Sequence, residues 1–321
     1  MNGSSTATAA TAPYGSQASG IAEHAGAHTV SSITQELEEK GIVVLPELVK
    51  GEQLRGMQEA FASRLRRIRW NNVDGFEKTE RYRHMVQDVL TLDQGFVDVA
   101  LHPLVKGAIA AYIGTPFELC EAKGWLTLPT RDFHSWHGDA WYDQTKVSHI
   151  PREVKLAVYL TDVKSGAFAY LLGTHRRQAP KNFDERDLTA EDLAHRVDAL
   201  GKAGTAILFD TSGIHRQSVP VLESRHAIFY NYHDPSVPLQ AEDVAYYRYH
   251  PLLLNAAFLG GLAEEDYRIL GFGSKTNYIA NYERRGSYPK LERFYRSIFE
   301  VSMRGSDFTG RVSARLRRML G

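Results

Sequence analysis

The sequence predicts a mostly β protein with flanking helices, and three observations carry that expectation. Short apolar runs at 117–122, 125–128, 155–160, 167–171, 205–209 and 225–232 are separated by glycine and proline, as in an antiparallel sandwich or barrel. Ahead of them, Leu54, Met57, Phe61, Leu65 and Ile68 recur at helical spacing. The length of 321 residues is compatible with two domains, but β-sandwich and barrel enzymes often run past about 200 residues as one. A single domain over 31–321 follows. It divides into a helical support (31–116), a β core (117–235) and a covering or lid region (236–321), behind a tail over 1–30.

The tail is rich in Ser, Thr, Ala and Gly, so it cannot bury enough apolar surface to offset the entropy of ordering. It contains no arginine, which counts against a transit peptide. Ser32 with Gln35 reads as a capping box that opens a helix ending at Gly41, and Ile42 to Leu45 reads as a strand. A helix follows over 51–68, with Arg64, Arg66 and Arg67 largely on its wet side. Residues 70–94 read as loop with helical pieces, and His102 to Ile113 as a helix. Within the β region one helix is expected at about Ala190 to Leu200, capped by Thr189. Beyond Pro235 the chain is rich in tyrosine. The segment from Ala241 to Pro289 is long and irregular, suggesting a lid or covering layer, and Leu291 to Met303 looks helical.

Composition narrows the partners. Acidic and basic residues balance at 38 each, which leaves no electrostatic footprint for nucleic acid or an anionic membrane. A small molecule is the expected partner. One cysteine, Cys120, excludes an internal disulfide framework and any cysteine-rich zinc site. No apolar run approaching the roughly 18 residues of a membrane span was expected, nor a signal core, so the sequence reads as soluble and cytoplasmic. Oligomeric state is not legible.

The chemistry concentrates in Asp132 to Tyr142. If this segment is extended, His137 and Asp139 share one face, so an imidazole and a carboxylate converge. A second imidazole from far along the chain would complete two histidines and one carboxylate, the facial set that holds Fe(II) with open positions for an organic acid and dioxygen. His215 is one candidate. Taken alone, His-x-Asp is weak, because a chain with 13 histidines produces such pairs by chance and a histidine beside Asp is often only hydrogen-bonded. The buried strand Thr205 to Asp210 delivers the chain to His215, and Arg225 opens the next strand, placing the two close across a hairpin-like pair. A guanidinium suits the far carboxylate of a chelating 2-oxo acid; the plainer alternative for Arg225 is a surface ion pair.

With these residues the sequence resembles the phytanoyl-CoA dioxygenase superfamily of Fe(II)- and 2-oxoglutarate-dependent oxygenases. The resemblance runs from about Ser32 to Tyr232 and rests on Gly41 to Pro46, Trp136-His137-Gly138-Asp139, Tyr159 to Val163, Gly166, Leu172 to His175, and Gly204 to Phe209 with His215 and Arg225. It implies a double-stranded β-helix, the jelly-roll or cupin-like core, with iron on His137, Asp139 and His215 and 2-oxoglutarate on Arg225. It also implies oxidation of an unactivated C–H bond, with dioxygen consumed and 2-oxoglutarate decarboxylated to succinate. In related halogenases a small residue replaces the acid, so Asp139 favours hydroxylation, desaturation or ring chemistry over chlorination. Gln217 stands where the family often has a small hydroxyl residue, and His175 is expected to order a turn.

Strand parity puts Lys123, Trp125 and Thr127 on one face; the resemblance, in which a polar or basic side chain on that strand helps hold 2-oxoglutarate, implies Lys123 and Thr127 as cosubstrate candidates with Trp125 as a pocket wall, against a simple sheet-edge position for Lys123. Trp136, Trp141 and Tyr142 are pocket walls or aromatic core. Lys155 pairs with a substrate acid if it points inward. Tyr246, Tyr247, Tyr249, Arg284, Arg285 and Tyr288 are candidates to close over a substrate. Expected substrates are specialised metabolites, with acyl-CoA and amino acids as alternatives. A silent ligand-binding member of the fold and a zinc hydrolase on the same three ligands are competing readings, and the latter gives Arg225 no task.

Overall fold

In a computed structural model, residues 28–67, 82–133, 135–139, 142, 149–177, 185–237 and 252–273 are described. Two antiparallel sheets face each other. The larger contains β1 (Ile42–Leu45), β2 (Arg83–Val86), β3 (Glu118–Thr127), β4 (Val154–Tyr159), β7 (Ala206–Asp210) and β9 (Arg225–His233) in the order β1-β7-β4-β9-β3-β2. The smaller pairs β6 (Arg196–Gly201), β5 (Val163–Leu171) and β8 (His215–Gln217), in that order. This is the expected jelly-roll core.

The outer face of the large sheet is buried under helices. α1 (Val30–Lys40), α2 (Gly51–Arg67), α3 (Gln94–Ala100) and α4 (Pro103–Ile113) supply Ile33, Leu37, Met57, Phe61, Phe96 and Ile109 to one core with Leu156, Leu208, Ile228 and Tyr230. A second core, between the sheets, joins Ala157, Tyr159, Phe168, Tyr170, Phe209 and Ala227. Period-two alternation sets this division: along β9, Ile228, Tyr230 and Tyr232 face the helices, and Ala227 faces the other sheet.

Several expectations are corrected. Thr29 caps α1, its hydroxyl accepting from the Ser32 amide, so the capping box begins three residues earlier than Ser32. Arg64 is not simply solvated: its Nε donates to Asp88 at 2.8 Å, joining α2 to the turn after β2. The 70–94 region contains β2, paired in register with β3 from Arg83↔Thr127 to Val86↔Gly124. The runs at 117–122 and 125–128 are one strand, β3, and Gly124 within it leaves room for Phe61 of α2, which a Cβ there would overlap. The helix at 190–200 stops after five residues as α5 (Ala190–Ala194), and β6 follows because that stretch finds β5 as a partner.

Gln94–Ile113 is, against expectation, long and apolar enough to cross a membrane, at 20 residues and mean hydropathy 1.4. It is broken at Leu101 and His102 into α3 and α4, and half of it is buried in the helical core. Of the expected lid, the described part carries α6 (Glu264–Ile269), which packs beside α4 through Lys106 and Glu265 at 2.7 Å. Residues 1–27, Tyr246, Tyr247, Tyr249, Arg284, Arg285, Tyr288 and the 291–303 segment lie outside the described residues.

Candidate metal and cosubstrate site

His137 and His215 meet through an isolated antiparallel bridge. The His137 amide donates to the His215 carbonyl at 3.0 Å, and the His215 amide donates back at 2.7 Å. The next link is similar: the Asp139 amide donates to the Thr211 carbonyl at 2.8 Å. The segment is therefore extended and tied to the β7–β8 connection, without forming a regular strand.

These backbone bonds bring the side chains together. One ligand atom from each of His137, Asp139 and His215 lies within 4.8 Å of the others, and His215 Nε2 is 3.7 Å from Asp139 Oδ2. Each imidazole is oriented by a carbonyl, which can only accept: His137 Nδ1 donates to Ser135 O at 3.0 Å, and His215 Nδ1 to Gly213 O at 2.8 Å. Nε2 is then the lone-pair nitrogen in both rings, the form a metal requires. Burial, with His215 beside it, pushes His137 down to about 4, so it is neutral at physiological pH. Burial alone would raise Asp139, but the Lys155 ammonium, His215 and His137 together outweigh it and hold the carboxyl well below its usual range. The donor set of two imidazoles and a carboxylate suits Fe(II).

The three groups line a cavity of about 260 Å³ between the sheets. Arg225 is 5 % exposed at its wall. Its Nη1 donates to Gly166 O at 2.9 Å and its Nη2 to Gln217 Oε1 at 2.7 Å, while Nε meets no partner. Gln217 Nε2 and the Thr127 hydroxyl, also buried on this wall, are likewise unmatched. Thr127 lies directly across the ladder from Arg225. Among the described residues, no carboxylate pairs with this guanidinium. Unmet buried donors are costly, so the wall is built for an acceptor-rich, anionic ligand, and 2-oxoglutarate fits it.

Other expected residues are placed as follows. Lys123, Trp125 and Lys155 line the cavity. Lys123 is held by Glu121 at 2.8 Å, and Lys155 points inward, its ammonium contacting Asp139. Trp136 is not a cavity wall: it is buried with Ala169, Leu171 and Ile214, with Arg216 5.4 Å above its ring. Tyr142 is buried off the cavity. Trp141 lies outside the described residues. His175 takes its turn-ordering place, with Nε2 3.3 Å from Glu38 O.

Sequence reasoning missed Arg83, Phe133, Phe168, Phe209, Arg216 and Phe229 on the cavity wall. Parity could have found two of them, because Phe229 stands two pairs along the inner face from Arg225 and Phe209 opposes Lys155 across the β4–β7 ladder. Arg83 carried no signal while its strand was unread.

The phytanoyl-CoA dioxygenase (PhyH) family model matches residues 37–218, more than half of the chain. No curated protein matches the sequence. Among solved structures, the epimerase SnoN in complex with Fe3+, alpha ketoglutarate and nogalamycin RO is similar at 17 % identity and TM-score 0.53, covering 74 % of this chain and 92 % of its own. The carbocyclase SnoK from nogalamycin biosynthesis is similar at 18 % identity and TM-score 0.53, covering 72 % and 96 %. EctD from S. alaskensis, with 2-oxoglutarate and 5-hydroxyectoine, is similar at 20 % identity and TM-score 0.50, covering 64 % and 77 %. At these identities the likeness shows a common fold. The family match adds the chemistry to that fold: the chain belongs to the phytanoyl-CoA dioxygenase (PhyH) family and is an Fe(II)- and 2-oxoglutarate-dependent oxygenase.

Proposed function

We propose that His137, Asp139 and His215 hold Fe(II), that Arg225, Gln217 and Thr127 hold the far carboxylate of 2-oxoglutarate, and that the enzyme hydroxylates an unactivated C–H bond of a small specialised metabolite. The observation that carries the reading is the coincidence, on one cavity, of a three-ligand cluster with three unmatched buried donors. A zinc hydrolase gives the second feature no purpose. When bound, the iron and its cosubstrate supply the oxidising power that no side chain has.

The chain's own residues position and exclude. The Ser135 and Gly213 carbonyls fix both imidazole rings, so the histidines bind without choosing a tautomer. Lys155 on Asp139 favours the ionised carboxylate. The Arg225 fork is set by Gly166 and Gln217 before any ligand arrives, which lowers the ordering cost of binding. Phe168, Phe209 and Phe229 supply apolar walls that keep water from the reacting region. Asp139 retains its carboxylate, which supports hydroxylation over halogenation. Support for a small-molecule substrate comes from SnoN, whose structure contains nogalamycin RO.

The test is stoichiometric succinate release with Fe(II), ascorbate and 2-oxoglutarate across a panel of small metabolites, including acyl-CoA thioesters and amino acids. Coupled release with a hydroxylated product supports the reading. Absence of release across the panel, with the metal bound, favours a silent ligand-binding protein.

A further inference from the structure

Resting on that reading, we infer that Lys155 is a positioning residue: it limits Asp139 to one oxygen on the metal and so keeps a coordination position open for dioxygen.

The three ligands are not held alike. Each imidazole is fixed by a main-chain carbonyl, His137 by Ser135 O at 3.0 Å and His215 by Gly213 O at 2.8 Å. The Asp139 amide is tied to Thr211 O at 2.8 Å, but a backbone bond leaves the broad carboxyl torsion unset. Among the described residues, the one hydrogen-bond donor that reaches the Asp139 carboxylate is the Lys155 ammonium, at Oδ2. His215 Nε2 stands 3.7 Å from the same oxygen, beyond hydrogen-bond length. The orientation of the anionic ligand is therefore set by a single side chain.

The fold gives that side chain a fixed origin. Lys155 lies on β4, which is paired on both sides, with Phe209 of β7 and Asn231 of β9 as its ladder neighbours. Val154 and Leu156 on either side of it belong to the core under the helices, so period-two alternation turns Lys155 into the space between the sheets. It is 7 % exposed, and little water competes for its ammonium. A charge-assisted bond in such a place is strong and directional. Partners of this kind behind a metal ligand orient it.

The chemistry makes the orientation matter. Two imidazole nitrogens and one carboxylate oxygen fill half of an octahedral ion, 2-oxoglutarate takes two further positions, and a last one is left for dioxygen. A carboxylate can also close both of its oxygens on one ion, which would fill that last position. With Oδ2 already accepting from an ammonium, closing both would press the metal against the Lys155 charge. The two cations are both satisfied when they take different sides of the carboxylate, with one oxygen given to the metal. An uncharged residue at 155 removes this restraint.

The test loads the protein with Mn(II) and saturating 2-oxoglutarate and counts the exchangeable waters on the ion by water-proton relaxation. Wild type should hold about one, in the position meant for dioxygen. Lys155→Met and Lys155→Gln should lose it, and Lys155→Arg, which keeps the charge and the donors, should retain it. A water that persists in either neutral variant, is missing from wild type, or is lost equally in Lys155→Arg overturns the inference. So does a neutral variant that melts like wild type yet no longer takes up Mn(II). Infrared difference spectra of wild type with isotope-labelled aspartate, recorded on adding Mn(II) alone, decide without any variant having to fold. The Asp139 carboxylate stretches should move apart, as ligation through one oxygen requires, and stretches drawn together overturn the inference. Mn(II)-loaded wild type that fails to bind 2-oxoglutarate sinks the oxygenase site itself; 2-oxoglutarate bound with a water count indifferent to residue 155 sinks only the role of Lys155.

Discussion

His137 and His215, from distant parts of the chain, exchange both of their backbone hydrogen bonds, at 3.0 and 2.7 Å, and their rings stand 4.6 Å apart. The metal-site geometry is thus fixed by main chain before any ion is bound. The turn that delivers His215 is as constrained as the bridge, because Gly213 packs against the Tyr170 hydroxyl where a Cβ would overlap it. Gly213→Ala should therefore shift His215, lower stability by about 1–3 kcal/mol and weaken Mn(II) affinity by about tenfold or more. Thermal melting with metal titration checks this; unchanged metal affinity would show that the turn does not set the ligand.

Asp139 is coupled to Lys155 as well as to the two imidazoles. Asp139→Ala should abolish turnover with the fold retained, and Lys155→Met should be destabilising alone yet less so in the Asp139→Ala background. A double-mutant cycle in melting free energy should give a coupling of about 1–3 kcal/mol. Additive effects, or wild-type turnover in Asp139→Ala, refute the assignment.

Arg225→Ala should raise the 2-oxoglutarate KM by about tenfold or more, with the substrate KM changed far less. Gln217→Leu, which removes the acceptor for Arg225 Nη2, should have a smaller effect in the same direction. Steady-state kinetics with each substrate varied separates the two, and the reverse order assigns the guanidinium to the substrate.

Asp210 lies behind the site, fully enclosed, accepting from the Tyr112 hydroxyl and the Ser212 amide at 2.8 Å each. Burial raises its carboxyl from 3.8 to about 7, against those two bonds. A raised acid pKa means the unfolded chain loses its proton first. The stability loss is absent below about pH 4, grows between 4 and 7, and is complete above 7. An asparagine can meet both partners without charge, so Asp210→Asn should melt higher than wild type at pH 8 and show no advantage near pH 4. A constant difference across that range would contradict the account.

What the sequence made legible was whatever repeats at period two or sits in a short motif. His215 and Arg225 were readable because a strand, a turn and a second strand carry them at fixed spacing, and His137 and Asp139 because they stand two apart in an extended segment, tied to His215 by an isolated bridge. Parity put Thr127 and Lys123 on one face of a strand, while their cosubstrate role, like that of Gln217 two residues beyond His215, came only with the family resemblance. Trp136 and Tyr142 misled because an aromatic beside a metal motif looks alike whether it faces the cavity or the core; only the tie of Trp136 to Ala169, Leu171 and Ile214 decides. β6 was hidden behind a helix signal that α5 exhausts in five residues, and β2 behind a charged stretch whose pairing to β3 is wholly non-local. Arg83 was lost with it.

The account rests most directly on an anaerobic titration of Fe(II) into protein saturated with 2-oxoglutarate. It predicts a visible metal-to-ligand charge-transfer band that saturates at one iron per chain, is lost in His215→Ala, and in Arg225→Ala appears only at higher 2-oxoglutarate. Iron binding without the band, or a band that survives removal of His215, would contradict it.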